Sequence, residues 1–330
     1  MSKKGKYDSP WKATLKGIID LYGKKTDSVK LPEHIDLKGK TVLITGSSNG
    51  LGFAAAKRIA QAGAKLIMAV RSGMPEKGEE IIKITKNPYV KMYHIDLLDF
   101  ESINLFLNNL DKDQVKIDIL ISNAAMVPLK SRKTPQGIEE MFMVNYLAPF
   151  YLINQLISRN VLHTEKSKII IVSSESHRNP KEFEWEKFGK YVGYGINETV
   201  SRYGYFKLLL TTFACELSRR FSNENNQSSI RVLCPGPVSS NIVREAPKLM
   251  QPLLKLVFFI FFKSPEKASD PILYFASEPN LDHNPLDYMF LMQRQAMDHK
   301  ALDEENGKRL WELSQKLIDT IFSKNEIQQK

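Results

Sequence analysis

The chain has 330 residues, of which 42% are apolar and 25% charged, a balance typical of a folded protein with a sizeable core. Its two cysteines, Cys215 and Cys234, are too few for a disulfide framework or a cysteine-rich zinc site. No apolar run reaches the roughly 20 residues that a membrane-spanning helix needs. The lysine-rich, interrupted start, Met1 to Lys40, does not suit a signal peptide. We therefore expect a cytoplasmic protein, and membrane association stays open.

The net charge of +10 owes much to the start of the chain, where ten lysines precede residue 41. Residues 1–39 form a basic extension that could meet anionic lipid or nucleic acid. The chain has no nucleic-acid-binding signature, so we predict no nucleic-acid partner. Apolar residues recur at helical spacing within the extension, which suits an amphipathic membrane anchor, a helix packed on the domain, or a loose arm. These residues are Trp11, Leu15, Ile18, Ile19 and Tyr22.

From Lys40 onward, apolar runs alternate with helical patterns. The predicted strands are Thr41–Thr45, Lys65–Val70, Val90–Ile95, Ile117–Ser122, Lys168–Ser173 and Ile230–Cys234, with a shorter one near Tyr288–Leu291. The predicted helices are Leu51–Ala62, Pro75–Thr85, Asp99–Leu110, Gln136–Ser158, Val200–Phe221 and Asp303–Ser323. Strands that are apolar throughout are covered on both faces. The rhythm predicts an α/β fold: a doubly wound, Rossmann-type parallel sheet of about seven strands flanked by helices, in a single domain over 40–330.

A glycine-rich turn, Thr45 to Gly52, joins the first strand to the first helix. Little side-chain bulk there lets backbone N–H groups approach a pyrophosphate, and the helix N-terminus behind the turn favours negative charge. The turn therefore predicts a dinucleotide site.

Tyr203 alone among the twelve tyrosines has a lysine four residues downstream, Lys207. Within a helix the two side chains share one face. A nearby ammonium favours the phenolate and lowers the tyrosine pKa from about 10, which suits proton exchange with a carbinol oxygen. The alternative is a chance surface pair.

The glycine turn and the Tyr-x-x-x-Lys helix together resemble the short-chain dehydrogenase/reductase superfamily, from Lys38 to about residue 320. The matches continue with Asp96-Leu97 after the third strand, Ser122-Asn123-Ala124-Ala125 after the fourth, Asn145 in the following helix, Ser173-Ser174 after the fifth strand, and Pro235-Gly236 after the sixth. Ser122 and Ala125 depart from the family's Asn-Asn-Ala-Gly turn.

Within the superfamily, the chain looks most like the retinol dehydrogenase and WW-domain oxidoreductase branch. That resemblance rests on Arg71 with Lys77–Glu80, on an insert around Phe183–Asn197, and on Phe262–Ala268.

The resemblance implies a catalytic set. Tyr203 would exchange a proton with the substrate oxygen, and Lys207 would lower its pKa and bond the nicotinamide ribose. Ser174 would hold the substrate oxygen, or merely cap the strand end. Asn145 would anchor a water, or be bonded to backbone. Ser173 could replace Ser174, although alignment with the family's Ser-Ser pair favours Ser174. The implied cofactor contacts are Gly46, Ser48, Asn49, Gly50, Leu51, Gly52, Arg71, Asp96, Leu97, Asn123, Ala124, Tyr203, Lys207, Pro235, Gly236 and Val238.

Cofactor choice depends on the end of the second strand, which reads Ala69-Val70-Arg71-Ser72. An acid there would bond a ribose 2′-hydroxyl, whereas an arginine accommodates a 2′-phosphate. We therefore expect NADP(H) rather than NAD. Alternatively, Arg71 only stacks on the adenine.

A phenylalanine-rich run, Pro252 to Phe262, falls at about 240–265, where the family builds its substrate lid. It implies a lipophilic alcohol or carbonyl substrate of retinoid, steroid or long-chain aldehyde type, peripheral contact with a membrane, or a helix packed on the core. The predicted function is an NADP(H)-dependent oxidoreductase; the alternative is a non-catalytic nucleotide-binding scaffold or sensor on the same fold. The resemblance also allows a homodimer paired through Gln136–Ser158 and Val200–Phe221.

Overall fold

The computed structural model describes residues 28–162, 166–224, 226–236, 264–278 and 286–328. Eight strands of this part of the chain form one sheet: β1 Thr41–Thr45, β2 Lys65–Val70, β3 Val90–His94, β4 Ile119–Ser122, β5 Lys168–Val172, β6 Ser229–Cys234, β7 Leu286–Phe290 and β8 Gln293–Arg294. Their order is β3-β2-β1-β4-β5-β6-β7-β8, and every pair is parallel except β7 with β8. The predicted doubly wound sheet is confirmed, and the short antiparallel β8 extends its edge.

Helices cover both faces of the sheet. They are α1 Gly50–Gln61, α2 Glu76–Thr85, α3 Phe100–Lys112, α4 (Glu140–Phe142, the π-helical turn Met143–Leu147 and Ala148–Ser158), α5 Ile196–Asn223, α6 Pro265–Ala268, α7 Asp270–Ser277, α8 His299–Leu302 and α9 Glu304–Gln328. Two short 3₁₀ turns, Glu175–Arg178 and Trp185–Lys187, lie between β5 and α5. Consecutive strand residues serve opposite faces: Leu43 packs with α3, α4, α5 and α9, whereas Ile44 packs with α1 and α7. This two-sided burial explains why the strands are apolar throughout.

Two helices begin four residues away from their predicted starts, whereas the other predicted starts differ by one residue. The helix predicted from Gln136 begins at Glu140, because the Glu139 carboxylate accepts from the Phe142 N–H (2.7 Å) and caps the first turn. The helix predicted from Val200 begins at Ile196, directly after Gly195, whose N–H donates to Glu198 Oε2 (3.3 Å). In both cases a local cap, rather than the apolar period, determines the start.

The last helix, α9, lies across α3, α4 and α5. Trp311 packs against Phe150 and Phe213 with ring centroids 5.2 and 5.8 Å away. The Tyr146 hydroxyl is 2.5 Å from Ser314 Oγ, at the centre of the same contact. The predicted C-terminal helix is therefore confirmed and extends beyond Ser323.

Part of the basic extension contacts the domain at two places. Leu37 is buried, and its N–H donates to the Ala62 carbonyl (2.8 Å), while the Val29 N–H donates to the Met292 carbonyl (2.7 Å). The rest of the extension, 1–27, lies outside the described residues, as do Val238 and most of the predicted lid at 240–265. Among the described helices, none has the length and apolar character to cross a membrane.

Candidate active site

The predicted site residues gather at the carboxyl edge of the sheet. Strand order reverses between β1 and β4, which are neighbours in the sheet although two strands and three helices separate them in the chain. In open α/β sheets the crevice outside such a reversal is where ligands bind. The glycine turn leaves β1 here, and Asn123 follows β4 at the same edge.

The glycine turn is built for close approach of backbone. Gly46 has φ +67°, and a Cβ on it would lie 2.9 Å from the Ala124 Cα. A Cβ on Gly52 would lie 2.3 Å from the Gly46 carbonyl oxygen. Asn49 precedes α1 in an extended conformation and makes no side-chain cap. The N-terminus of α1 thus presents its N–H groups without a competing side chain, which fits a phosphate group.

Asn123 and Thr45 fix this turn. Asn123 Nδ2 donates to the carbonyls of Thr45 (2.9 Å) and Gly46 (3.2 Å). Thr45 Oγ1 accepts from the N–H groups of Asn123 (3.0 Å) and Ala124 (3.1 Å). Thr45 was not among the predicted site residues. Its hydroxyl at the end of a buried strand was the available signal, but its partners lie 78 and 79 residues away in the chain.

Other predicted cofactor residues border the same turn. Arg71 follows β2 and is exposed, and a Cβ on Gly73 in the same loop would contact the Ser48 Cβ at 3.4 Å. The Asp96 carboxylate accepts from the Leu98 N–H (3.0 Å), and Leu97 is buried in the core. Gly50 and Leu51 form the first turn of α1, and Pro235 and Gly236 follow β6 at the sheet edge. The structure therefore places Arg71 beside the turn, whereas the Leu97 side chain faces inward.

Tyr203, Lys207 and Ser174 converge beside the turn after β5. Lys207 is fully buried, and its Nζ donates to the Val172 carbonyl (2.8 Å) at the end of β5. The ammonium lies over the Tyr203 ring, with Nζ 5.6 Å from the ring centroid. The Ser174 hydroxyl lies close enough to the Tyr203 hydroxyl to lower the pKa of that phenol. A Cβ on Gly204 would lie 2.7 Å from the Ser176 carbonyl oxygen, so a glycine after Tyr203 lets α5 approach Ser174 this closely.

The two adjacent serines have different surroundings. Ser173 Oγ is buried and pairs with Thr211 Oγ1 of α5 (2.7 Å). Ser174 Oγ accepts from Ser176 Oγ (2.9 Å) and the Ser176 N–H (3.3 Å), and is partly exposed at the site. The geometry therefore favours Ser174, which both caps the 3₁₀ turn and reaches Tyr203.

The pKa of Tyr203 was predicted to fall, and the structure shows the opposite. Burial of the phenol raises the pKa of Tyr203, and the hydrogen bond from Ser174 offsets only part of that rise. Burial also lowers the pKa of Lys207 to about 8. Desolvation disfavours the charged form of each group and is the largest cause of both shifts.

Asn145 occupies the π-helical turn of α4 and is fully buried. Its Nδ2 donates to the Met126 carbonyl and its Oδ1 accepts from the Met126 N–H, both at 2.9 Å. The side chain is therefore bonded to backbone and ties α4 to the loop after β4. Its role in anchoring a water stays a prediction.

Comparison with known proteins agrees with this geometry. A short chain dehydrogenase family model matches residues 40–185. Retinol dehydrogenase 14 of Mus musculus is 30% identical over 301 residues, covering 86% of this chain and 87% of that protein. The chain belongs to the short-chain dehydrogenase/reductase family. Retinol dehydrogenase 13 of Homo sapiens is 30% identical over 299 residues, covering 87% of each chain. WW domain-containing oxidoreductase of Homo sapiens is 29% identical over 323 residues, covering 94% of this chain and 75% of that one.

Solved structures share the fold of this short-chain dehydrogenase/reductase. An uncharacterised protein from Mycobacterium paratuberculosis superposes with a TM-score of 0.67 at 24% identity, covering 88% of this chain and 97% of that one. The angucycline C-6 ketoreductase LanV, solved with bound NADP, gives a TM-score of 0.58 at 23% identity, covering 79% of this chain and 97% of its own. The chain is thus an oxidoreductase of this family, in the branch that its sequence indicated.

A second site residue of this short-chain dehydrogenase/reductase, besides Thr45, was not predicted. His177 is fully buried, and its Nδ1 lies 2.7 Å from the Ser174 carbonyl oxygen. Its Nε2 accepts from the Asp298 N–H (3.3 Å), so Nδ1 carries the proton and donates to Ser174. Burial lowers the pKa of His177, which keeps the ring neutral. His177 thereby fixes the backbone of Ser174 against the segment before α8. Only its position three residues after Ser174 could have suggested this.

Proposed function

We propose that this protein is an NADP(H)-dependent oxidoreductase that interconverts a lipophilic alcohol and its carbonyl compound. The observation that supports this most is the convergence of Tyr203, Lys207 and Ser174 beside a glycine turn shaped for phosphate. Five relatives named retinol dehydrogenase in mouse and human support the lipophilic substrate class.

The protein's own residues handle the substrate oxygen. When bound, the nicotinamide supplies or accepts the hydride. In the reductive direction Tyr203 Oη gives its proton to the carbonyl oxygen, and in the oxidative direction it takes the proton back. The raised pKa of Tyr203 keeps this proton in place at neutral pH. Lys207 stabilises the phenolate that forms, and Ser174 holds the substrate oxygen within reach of Tyr203.

The residues that would hold the cofactor are assigned from their position at the crevice and from their charge. The N-terminus of α1 and the turn Gly46 to Gly52 would hold the pyrophosphate. Arg71 would pair with a 2′-phosphate, since it is exposed and lies on the loop that contacts Ser48. Among the described residues, Lys207 Nζ donates to the Val172 carbonyl, and a second of its three N–H donors would bond the nicotinamide ribose. Peripheral membrane contact and pairing of two chains stay predictions.

A substrate panel tests the proposal. Purified protein is given NADPH with retinal, steroid ketones and long-chain aldehydes, and cofactor fluorescence decay is followed. We expect Tyr203→Phe to lose about 10³-fold in kcat/KM, because the general acid is removed. The matched control is Tyr205→Phe, whose hydroxyl accepts from the Glu184 N–H (3.0 Å) and lies outside the site. A Tyr203→Phe variant that turns over substrate as fast as the unaltered protein would contradict the mechanism. Tight nucleotide binding with no turnover of any compound would favour the scaffold alternative.

The cofactor assignment has its own test. We expect Arg71→Ser to raise the KM for NADPH about tenfold and to leave the KM for NADH unchanged, because one charge-assisted contact to phosphate is lost. Lys83→Ser, which removes a charge from exposed α2 surface, is the control. Equal KM values of the unaltered protein for the two cofactors would overturn the preference for NADP(H).

A further inference from the structure

An apolar stripe on α5 leads to Tyr203. Ile196 is 61% exposed and Val200 is 44% exposed. With 3.6 residues per turn, Ile196, Val200, Tyr203 and Lys207 fall on one face of the helix at successive turns. Seven large apolar side chains are exposed among the described residues, and only Ile196 and Val200 belong to the helix that carries Tyr203. The stripe is therefore continuous with the active site.

Contacts of α5 border the stripe on its two sides, and the surface between these contacts is called the groove below. On one side Thr199 Oγ1 lies 3.2 Å from the carbonyl oxygens of Pro128 and Leu129, so α5 meets the loop after β4. On the other side Gly204 packs against the Ser176 carbonyl, so α5 meets the 3₁₀ turn after β5. Ile196 and Val200 lie between these two contacts.

The groove runs outward from the reacting atoms. Lys207 reaches the last residue of β5, so Tyr203 lies level with the carboxyl edge of the sheet. The preceding turns of α5, with Val200 and then Ile196, extend beyond that edge. Side chains on a helix lean toward its N-terminus, which directs the Tyr203 phenol toward Val200. A molecule with its oxygen at Tyr203 would pass over Val200 before Ile196.

We propose that Val200 and Ile196 are specificity-determining residues that hold the apolar chain of the substrate as it leaves the reacting carbon. This inference rests on the proposed function and adds the direction and length of the substrate chain. Seven residues at a rise of about 1.5 Å span about 10 Å, the extended length of about eight carbon atoms. The groove therefore fits a linear or slender aliphatic carbonyl compound of at least that length.

A homologous series of aldehydes, from butanal to dodecanal, measures the groove. Full burial of one methylene strengthens binding about fourfold, and a groove open on one side contributes about half that free energy, or about twofold per carbon. We expect kcat/KM with NADPH to rise by this factor per carbon up to about octanal and then to level off. A series with no length dependence would overturn the proposal.

Variants test whether the dependence of kcat/KM on chain length arises from the apolar stripe. We expect Val200→Ser with Ile196→Ser to lower the ratio of kcat/KM for octanal over that for butanal about tenfold, because the apolar contact is replaced by polar surface. Val200→Thr, which keeps the shape of valine, gives a smaller drop in the same ratio and guards against misfolding. The controls are Ile84→Ser on α2 and Leu105→Ser on α3, which are similarly exposed and remove the same kind of side chain elsewhere. Both controls should leave the ratio unchanged.

The outcomes separate this proposal from the proposed function. An unchanged ratio in the Val200/Ile196 variant, with turnover retained, overturns the groove and leaves the oxidoreductase standing. If the Val200/Ile196 variant changes only self-association or vesicle binding, this face of α5 binds a second copy or a membrane, and the proposal is also overturned. If neither the aldehydes nor the steroid ketones turn over, the proposed function falls, and calorimetry of Tyr203→Phe with NADPH tests the groove separately. Octanol should then bind more tightly than butanol, and equal binding would refute the groove.

Discussion

Two buried lysines lie at the opposite ends of β5, and their surroundings differ. Lys168 is the first residue of the strand, at the amino edge of the sheet, and its Nζ donates to the carbonyls of Phe275 (3.1 Å), Ala276 (3.4 Å) and Glu278. Lys207 comes from α5 and meets the last residue of the same strand, Val172, with one carbonyl contact at 2.8 Å. Burial lowers the pKa of each lysine to about 8.

The two lysines differ in how many of their N–H donors have a protein acceptor. An ammonium has three N–H groups, and all three of Lys168 are satisfied by the C-terminal end of α7. The neighbouring Glu278 is itself paired with Arg231 (3.4 Å) and Arg294. Lys207 donates to one carbonyl of the described residues, and its ammonium lies over the Tyr203 ring. A saturated buried lysine holds the fold, whereas a lysine with spare donors is available to a ligand and to a phenolate.

The largest effect is expected on activity. We predict that Lys207→Met lowers kcat/KM about 10³-fold, because the phenolate of Tyr203 loses its stabilising charge. Lys168→Met should leave kcat/KM within about twofold, since it lies at the other edge of the sheet. Steady-state kinetics on the best substrate measure both. Similar losses of kcat/KM in the two variants would contradict a catalytic role that only Lys207 has.

The reverse order is expected for stability. We predict that Lys168→Met lowers the free energy of unfolding by about 2 kcal/mol, a factor of about 30 in the folded-to-unfolded ratio, because three carbonyls lose their partner at a helix C-terminus. Lys207→Met should cost less, since one carbonyl loses its partner and a buried charge is removed. Urea unfolding followed by tryptophan fluorescence compares the two. A smaller loss for Lys168→Met than for Lys207→Met would contradict the assignment.

A smaller effect is expected at His177, which acts on the site only through Ser174. We predict that His177→Ala lowers kcat about tenfold with little change in KM for the cofactor, because Ser174 loses its backbone anchor. His177→Gln, which can still donate to the Ser174 carbonyl, should recover part of the rate. Equal losses in kcat for Ala and Gln, accompanied by equal losses of stability, would indicate that His177 is only a packing residue.

The smallest effect is on the pH profile. Burial lowers the pKa of Lys207 to about 8, so its charge is present below that pH and is lost as the pH rises through it. We predict that kcat/KM for reduction falls about fourfold between about pH 7 and about pH 8.5. A profile that stays flat through this interval would show that the charge of Lys207 does not limit the reaction.

Much of the architecture could be read from the sequence, because buried parallel strands such as Lys65–Val70 are apolar from their second residue onward, and the predicted bounds of this strand are confirmed. The pair Tyr203 and Lys207 could also be placed on one face, since helical spacing is local. The direction of the Tyr203 pKa could not, because desolvation depends on what covers the phenol rather than on the neighbour four residues away. The partners of Asn145 and Thr45 lie 19 and up to 79 residues distant, beyond any periodicity.

The helix α9 bears on how this chain meets other copies of itself. Trp311, Ser314 and Phe322 cover the outer sides of α4 and α5, the surfaces through which the family resemblance allowed two subunits to pair. A second molecule could reach the aromatic side chains under this helix only after the helix had moved away. Removing the chain from Glu304 onward would uncover that aromatic surface, and we expect such a shortened protein to self-associate more strongly than the full chain.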